Sequence, residues 1–434
     1  MSTNVIVREY ARLTTAPVPP GNLDCAHISG TAFDWLCDLS ANFNRAGATL
    51  LQVEGRQSLK WDSYVGVIET PCGTRLEILP KHFEQGDCVL KSRTLLRKLI
   101  QAALFLKPRQ VSVTALELFD APLTEWVMGQ YLNELDALVK RGIRFDYTRV
   151  EEERPFLRGQ LNVVAQLRQP PGRQHQFQVR HDVYLLDRAE NRLLKLALEQ
   201  VAKVTQLPAN WRLANELRAL LAEIPASRHV AQDFRLWSRD RLMAHYGAIR
   251  PWCELVLNQQ MPVAVQGAWQ GVSLLFPMER LFENYVQQSL GKQLMPGVEL
   301  TAQTSQADLC RHGNRGIFRL KPDLLMDTAE QRWVLDAKWK RIDQRNAGQN
   351  YNLSQSDFYQ LFAYGHKYRN GGGVPRLVLI YPYWAGLQRA LPVFDYGEGM
   401  QLWVLPFDLE AGCLVDAEVA SVPLLGRALG AVRG

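Results

Sequence analysis

Two short apolar runs, each interrupted by an aspartate, constrain the fold more than any other feature of this chain. They read Phe318-Arg-Leu-Lys-Pro-Asp323-Leu-Leu-Met326 and Trp333-Val-Leu-Asp336-Ala-Lys338-Trp339-Lys340. Aspartate is disfavoured inside strands and is rarely buried without a partner. Residues two apart on a strand point the same way, so Asp336 and Lys338 share one face while Leu335, Ala337 and Trp339 take the other. A turn centred on Ala329 and Glu330 makes the two runs an antiparallel hairpin and sets position 323 opposite position 336. Directly opposed residues have Cβ atoms about 4.5–5.5 Å apart. Two bare carboxylates that close repel each other unless a cation lies between them. Oxygen ligands of this kind suit Mg²⁺ or Mn²⁺. Such an ion activates water and binds a phosphate oxygen, and Lys338 is placed to orient that water or to offset transition-state charge. The pattern predicts hydrolysis of a phosphodiester.

The flanking elements predict where this hairpin sits. A helix over about 279–290 precedes a strand near 297–303. The strands of the hairpin fall at 317–326 and 332–339. A helix over about 356–368 and a very apolar strand, Arg376 to Tyr381, follow. Helix, three strands, helix, strand is an α/β order with a mixed sheet. On the later helix, Gln360 and Tyr364 are four residues apart beside an apolar stripe of Phe358, Leu361 and Phe362. They can reach the metal site, or they can form a half-exposed helix edge. On the earlier helix, Glu283 lies among Phe282, Tyr285 and Val286 and can complete the metal shell. The alternative is a surface ion pair, with Glu279 then the nearest substitute.

The first 245 residues read differently. Thr49–Glu54, Tyr64–Glu69 and Arg75–Leu79 suggest an antiparallel meander, with a helix over 124–140 capped by Thr124. Ile143–Val150 and Phe156–Leu167 look extended. Pro170-Pro171-Gly172 forces a turn, and Gln176–Leu185 returns as a strand. This hairpin carries Arg158, Arg168, Arg173 and Arg180, and reads either as a solvated loop or as a finger for a partner or nucleic acid. The expectation is a multidomain chain of mixed α/β and α+β class. It has a strand-rich, partner-binding region over 1–245 and an α/β domain with a mixed sheet over 246–434.

Composition narrows the remaining choices. A net charge of +6 is compatible with a polyanionic partner without demanding one. The seven cysteines (Cys25, Cys37, Cys72, Cys88, Cys253, Cys310 and Cys413) include no CxxC pair, so a zinc ribbon is not expected and a reducing cytoplasm is. No signal peptide or membrane span is read. Neither a GxxxxGK[ST] loop nor an HExxH, a GxSxG or a strand-borne GxGxxG occurs, which excludes P-loop hydrolysis of GTP or ATP by this chain. His181 beside Asp182 reads as structural.

These residues together resemble the McrC family, the nuclease subunits of McrBC-type modified-cytosine restriction systems. The likeness rests on Leu281-Phe282-Glu283, Lys321-Pro322-Asp323, Leu335-Asp336-Ala337-Lys338-Trp339-Lys340 and Asp357-Phe358-Tyr359-Gln360-Leu361-Phe362-Ala363-Tyr364. Upstream it includes Glu77-Ile78-Leu79-Pro80-Lys81, Arg141-Gly142-Ile143 and Glu190-Asn191-Arg192. The resemblance implies a C-terminal PD-(D/E)xK restriction-endonuclease-like domain that cuts double-stranded DNA. It also implies an N-terminal region docking on a separate AAA+ ring, McrB, which binds and hydrolyses the GTP. On it, Asp323, Asp336 and Glu283 are the metal ligands, Lys338 assists the attack, and Gln360 and Tyr364 order the site. An adapter that only activates the GTPase, and a nuclease needing no NTPase, are the rival readings.

Overall fold

The computed structural model describes residues 3–19, 21–45, 49–81, 89–104, 122–170, 172–173, 175–238, 240–258, 274–304, 307–369 and 373–425. The chain divides into two compact units. One joins residues 1–112 to 262–434; the other is the insert 113–261. The first hundred residues therefore group with the C-terminal region, unlike a single cut near 245. Several mixed sheets and flanking helices give the mixed α/β, multidomain class expected. No helix among the described residues is long and apolar enough to cross a membrane.

The larger unit is built on a seven-stranded sheet. Its strands are β1 (Glu299–Ala302), β2 (Leu324–Asp327), β3 (Arg332–Ala337), β4 (Arg376–Pro382), β5 (Phe394–Gly397), β6 (Met400–Asp408) and β7 (Cys413–Leu414). The spatial order is β1-β2-β3-β4-β6-β5, with β7 paired to β6. The β1–β2 and β2–β3 pairs are antiparallel, and β3–β4 and β4–β6 are parallel. β4 reads Arg-Leu-Val-Leu-Ile-Tyr-Pro and is buried from its second residue on. A continuous apolar run is what a central parallel strand, covered on both faces, requires.

Two helices frame the sheet. Helix α1 (Met278–Gly291) buries Met278, Leu281, Phe282, Tyr285, Val286, Ser289 and Leu290, the single stripe of a half-buried helix. Helix α2 (Gln355–Lys367) has Asp357 in its first turn and His366 and Lys367 in its last, charges that complement the helix dipole. Leu361 and Tyr364 of α2 share a core cluster with Leu325, Val334, Leu377 and Leu379. The expected 317–326 strand is instead two strands, Arg315–Leu320 and β2, separated at Lys321-Pro322-Asp323. Pro322 cannot donate to a ladder, so the break falls where the chemistry of proline puts it.

The N-terminal part of this unit holds two sheets where the sequence suggests one meander. Tyr64–Glu69 and Thr74–Leu79 pair antiparallel as expected, but Leu51–Gly55 pairs with Ser58–Trp61 in a separate sheet. Thr3–Arg8 lies parallel to Thr74–Leu79, and Leu274–Pro277 adds to Tyr64–Glu69 and runs straight into α1. In the insert, the long helix starts at Leu123 with Pro122 in the cap position. The expected cap, Thr124, is buried in the first turn with an unbonded hydroxyl. The segment expected to be extended over 156–167 is the short strand Gln160–Leu161 followed by a helix, Val163–Leu167, capped by the Asn162 side chain.

Gly66 ties the N-terminal sheet to α1. Its φ of +132° is one that residues with a Cβ rarely adopt, and a Cβ there would lie 1.8 Å from the Leu274 carbonyl oxygen. Gly66→Ala is expected to destabilise the chain by about 1–3 kcal/mol or more. Urea unfolding of the two proteins measures it, and an unchanged midpoint would contradict this account of the junction.

Candidate active site

The register of the β2–β3 hairpin is the one the turn predicts. Leu324 pairs with Leu335, so Asp323, one residue before the ladder, stands across from Asp336. The Oδ2 of Asp323 accepts from the Ala337 backbone N–H at 2.8 Å, which fixes this carboxylate at the strand end. Leu325 and Val334 face the α2 side, so Asp323 and Asp336, each two residues away on its strand path, face the same side.

Asp336 is 1% exposed, and neither carboxylate oxygen has a hydrogen-bond partner. Its neighbour is the Lys338 ammonium, 2.5 Å from Oδ2, a close ion contact without hydrogen-bond alignment. Burial raises the Asp336 pKa, and Lys338 offsets only part of that. Asp323 is pushed up to about 8, first by burial and then by the charges of Asp336 and Glu283. Glu283, on α1, is pushed up to about 7, by burial and then by Asp336. Burial alone would lower the Lys338 pKa, but Asp336 and Asp323 outweigh it and keep the amine charged. Glu279 is exposed, so Glu283 is the helix carboxylate that belongs to the group.

Gln360 and Tyr364 also join it, as supports. The Gln360 Nε2 donates to the Tyr364 hydroxyl at 2.6 Å, and that hydroxyl donates to the Lys321 carbonyl at 3.0 Å. Tyr368, one turn on, donates to the Leu320 carbonyl at 2.9 Å. Two tyrosines of one helix thus grip the turn that presents Asp323.

Three participants escaped the sequence reading. Asp357, buried in the first turn of α2, receives the Lys340 ammonium at 3.1 Å and the Tyr381 hydroxyl at 3.4 Å. Its charge raises the Asp336 pKa, and that of Lys340 lowers it. Lys340 was legible, since it repeats the Lys338 spacing on the same strand face. Asp357 reads as an ordinary helix-start acid, and Tyr381 as core.

The donor set fits a divalent cation that keeps part of its water. Carboxylates brought together in this way, Asp336 with no N–H partner and Asp323 with one, are oxygen donors of the kind Mg²⁺ or Mn²⁺ binds with retained waters. Among the described residues, no three His, Cys, Asp or Glu side chains are grouped as a ready-made metal site, so any ion here would be held by fewer protein ligands or after the carboxylates move closer.

A family model described as the McrBC 5-methylcytosine restriction system component matches residues 59–382, well over half of the chain. The chain belongs to this McrBC family. Among solved structures it is similar to a chain of a Thermococcus gammatolerans half-complex, from a tetradecameric assembly of McrB AAA+ hexamers with bound McrC. That likeness has a TM-score of 0.71 at 17% identity, covering 96% of this chain and 98% of that one. It is also similar to a chain of the Thermococcus gammatolerans McrBC complex, with a TM-score of 0.53 at 20% identity over 67% of this chain and 88% of that one. No curated protein matches it. At these identities the structures establish a shared fold.

The arginines of the McrBC chain's hairpin are less available than the sequence suggests. Arg180 pairs with Glu151 at 2.5 Å and Arg173 with Glu153 at 3.7 Å, because the strand Asp146–Arg154 brings three consecutive glutamates alongside. Arg158 and Arg168 lie on the exposed face, and Pro171 of the turn is outside the described residues. Phe156, Leu157, Val163, Val164 and Leu167 on this finger are all more than half exposed. His181 is buried, 3.4 Å from Glu152.

The carboxylate group carries a pH signature. Free Asp and Glu titrate near 4, whereas Glu283 and Asp323 titrate near 7 and 8 in the folded chain. Between about pH 4 and 8 the unfolded chain has already lost protons that the folded chain retains, so stability falls as pH rises through this window. Asp336→Asn removes a charge that raises both groups and is expected to flatten the slope. Thermal unfolding from pH 5 to 9 without divalent cations tests this; an equal slope in the variant would count against the cluster.

Proposed function

We propose that this chain is the Mg²⁺- or Mn²⁺-dependent endonuclease subunit of a GTP-dependent modified-cytosine restriction complex, cutting DNA with a PD-(D/E)xK-type site. The observation that carries this reading is the crowding of three carboxylates, Asp323, Glu283 and the buried Asp336, around one ammonium, that of Lys338. Lys338 offsets one charge of this group, and the repulsion left among three crowded carboxylates is what a bound cation would relieve.

Asp323, Asp336 and Glu283 are the residues that would hold the ion. When bound, it supplies Lewis-acid activation of water and neutralises phosphate charge. Lys338 stays protonated beside Asp336 and is placed to orient a water or steady the charge that develops on phosphate. Tyr364 and Gln360 hold the Asp323 turn in register, while Asp357 fixes Lys340. DNA is the polyanion these lysines suit, and the chain has no loop of its own for GTP. The GTPase is then a separate AAA+ ring, as in the Thermococcus structures of McrB hexamers with bound McrC.

Asp336→Ala in the complex with that partner is expected to lower DNA cleavage on the order of a hundredfold or more, with GTP turnover kept. Cleavage that persists sinks the hydrolytic reading. A chain that never cuts DNA, even with Mg²⁺ and partner present, would be an adapter.

The finger of the insert is the proposed ring contact, and its apolar residues carry the docking. Val164→Ser with Leu167→Ser should reduce stimulation of the partner's GTPase at least as much as Arg168→Ala with Arg173→Ala, while the circular dichroism melt stays in place. Stimulation untouched by both pairs would remove the finger from the interface.

A further inference from the structure

A cavity of about 310 Å³ lies beyond the C-terminal ends of β3 and β4, within the larger unit. Its walls include Tyr10, Lys81, Lys340, Arg341 and Trp384. Glu9 and Trp339 form part of its lining. None of these residues except Lys340 takes part in the site described above, and Lys340 joins the two places. It lines the cavity while its ammonium pairs with Asp357 and acts electrostatically on Asp336.

Several features mark this cavity as built. Glu9 is fully buried, yet it is satisfied: Oε1 accepts from the Lys81 N–H at 2.7 Å and from the Trp339 indole N–H at 2.9 Å. Burial pushes its carboxyl up to about 7, so near neutral pH it carries only part of a negative charge. Tyr10, next in sequence, is 40% exposed and holds a φ of +63°, a conformation costly for a residue with a Cβ. Trp384 is oriented from three sides. Its indole N–H donates to the Ile342 carbonyl at 2.9 Å, and the Arg341 guanidinium lies 5.3 Å from its ring centre. A Cβ on Gly386 would come within 2.3 Å of the ring, so only glycine lets the indole lie as it does. Arg341 also donates to the Lys81 carbonyl at 2.8 Å.

We propose that this cavity receives a single nucleotide of the DNA strand being cut, unstacked from its neighbours, with its base against Trp384 and Tyr10 and its phosphates among Lys81, Lys340 and Arg341. The inference rests on the nuclease reading above and names what lies beside the scissile phosphate. Aromatic faces ringed by cations are how proteins hold single unstacked bases, whose π-faces any sequence supplies. The volume is at the small end of ligand sites, enough for one nucleotide and far too small for a duplex about a groove wide or more. A free mononucleotide offers the same chemistry, but the shared Lys340 ties the cavity to a strand engaged at the carboxylates.

The test uses the full chain as Lys338→Ala, which keeps the three carboxylates, assembled with its AAA+ partner and GTP on duplex DNA. 5-Iododeoxyuridine is scanned along the strand and photo-crosslinked, and the adducts are mapped by mass spectrometry. One position should crosslink to the peptide bearing Trp384 or Tyr10, and thymine there should become reactive to permanganate. Trp384→Leu, which keeps an apolar side chain and loses the ring, should cut that yield about tenfold or more with total DNA binding retained. Should Trp384→Leu fold poorly, Gly386→Ala tilts the indole and is expected to lower the same adduct. Adducts only elsewhere, or yields equal in the variants, overturn the proposal. So does free 5-iododeoxyuridine monophosphate crosslinking to Trp384 as strongly as DNA does. Cleavage by the unaltered chain, measured alongside, reports on the nuclease reading separately, because crosslinking needs no cutting.

Discussion

The pairing of Leu324 with Leu335 sets everything else at the site. A strand has a side-chain period of two, so a slip of one residue would turn Asp336 into the opposite layer and bring an apolar side chain in its place. The register is held by burial. Leu325, Val334, Leu377 and Leu379 fill one face of the sheet, and Leu324, Leu335 and Ala337 are buried between them along the strands. The apolar residues thus fix the position of the charged ones. The carboxylates gain nothing for the fold and weaken it once ionised, as the raised pKa values of Asp323 and Glu283 show. Clusters of groups with strongly perturbed pKa values, held at a cost in stability, are where functional sites concentrate.

The hairpin was legible because two independent patterns agreed on it. The apolar runs fixed the strands, and the polar Asp327-Thr-Ala-Glu-Gln331 stretch fixed the turn, so the register followed by counting. The helices α1 and α2 were legible from their stripes, and Glu283 from its position at the edge of one. Lys321-Pro322-Asp323 was read as mid-strand, where it is a break; the proline should have prompted that reading. The break matters, because it frees the Lys321 carbonyl to accept from Tyr364 rather than from a neighbouring strand.

What escaped was long-range. Glu9 lies 330 residues before Trp339, whose indole it accepts from, and no local pattern links them. Nothing in the sequence near 9 distinguishes that glutamate from a surface one. The same holds for Asp357: a helix-start aspartate is expected to be solvated, and only the fold turns it toward Tyr381 and Lys340. The ion pairs of the arginine finger escaped in the same way. Glu151 and Glu153, which pair with Arg180 and Arg173, belong to a strand twenty or more residues away whose antiparallel pairing a linear charge pattern does not reveal.

The grouping of residues 1–112 with 262–434 changes how the chain is understood. A partner-binding region followed by a catalytic one would leave the cutting site to the last part of the chain alone. Instead Thr3–Arg8 and the strands it joins build a sheet whose fourth member, Leu274–Pro277, delivers α1 and with it Glu283. Glu9 then braces Trp339 immediately after Lys338. The first strand of the chain is thus part of the scaffold of the carboxylate site, and the insert 113–261 is the segment free to serve a different task.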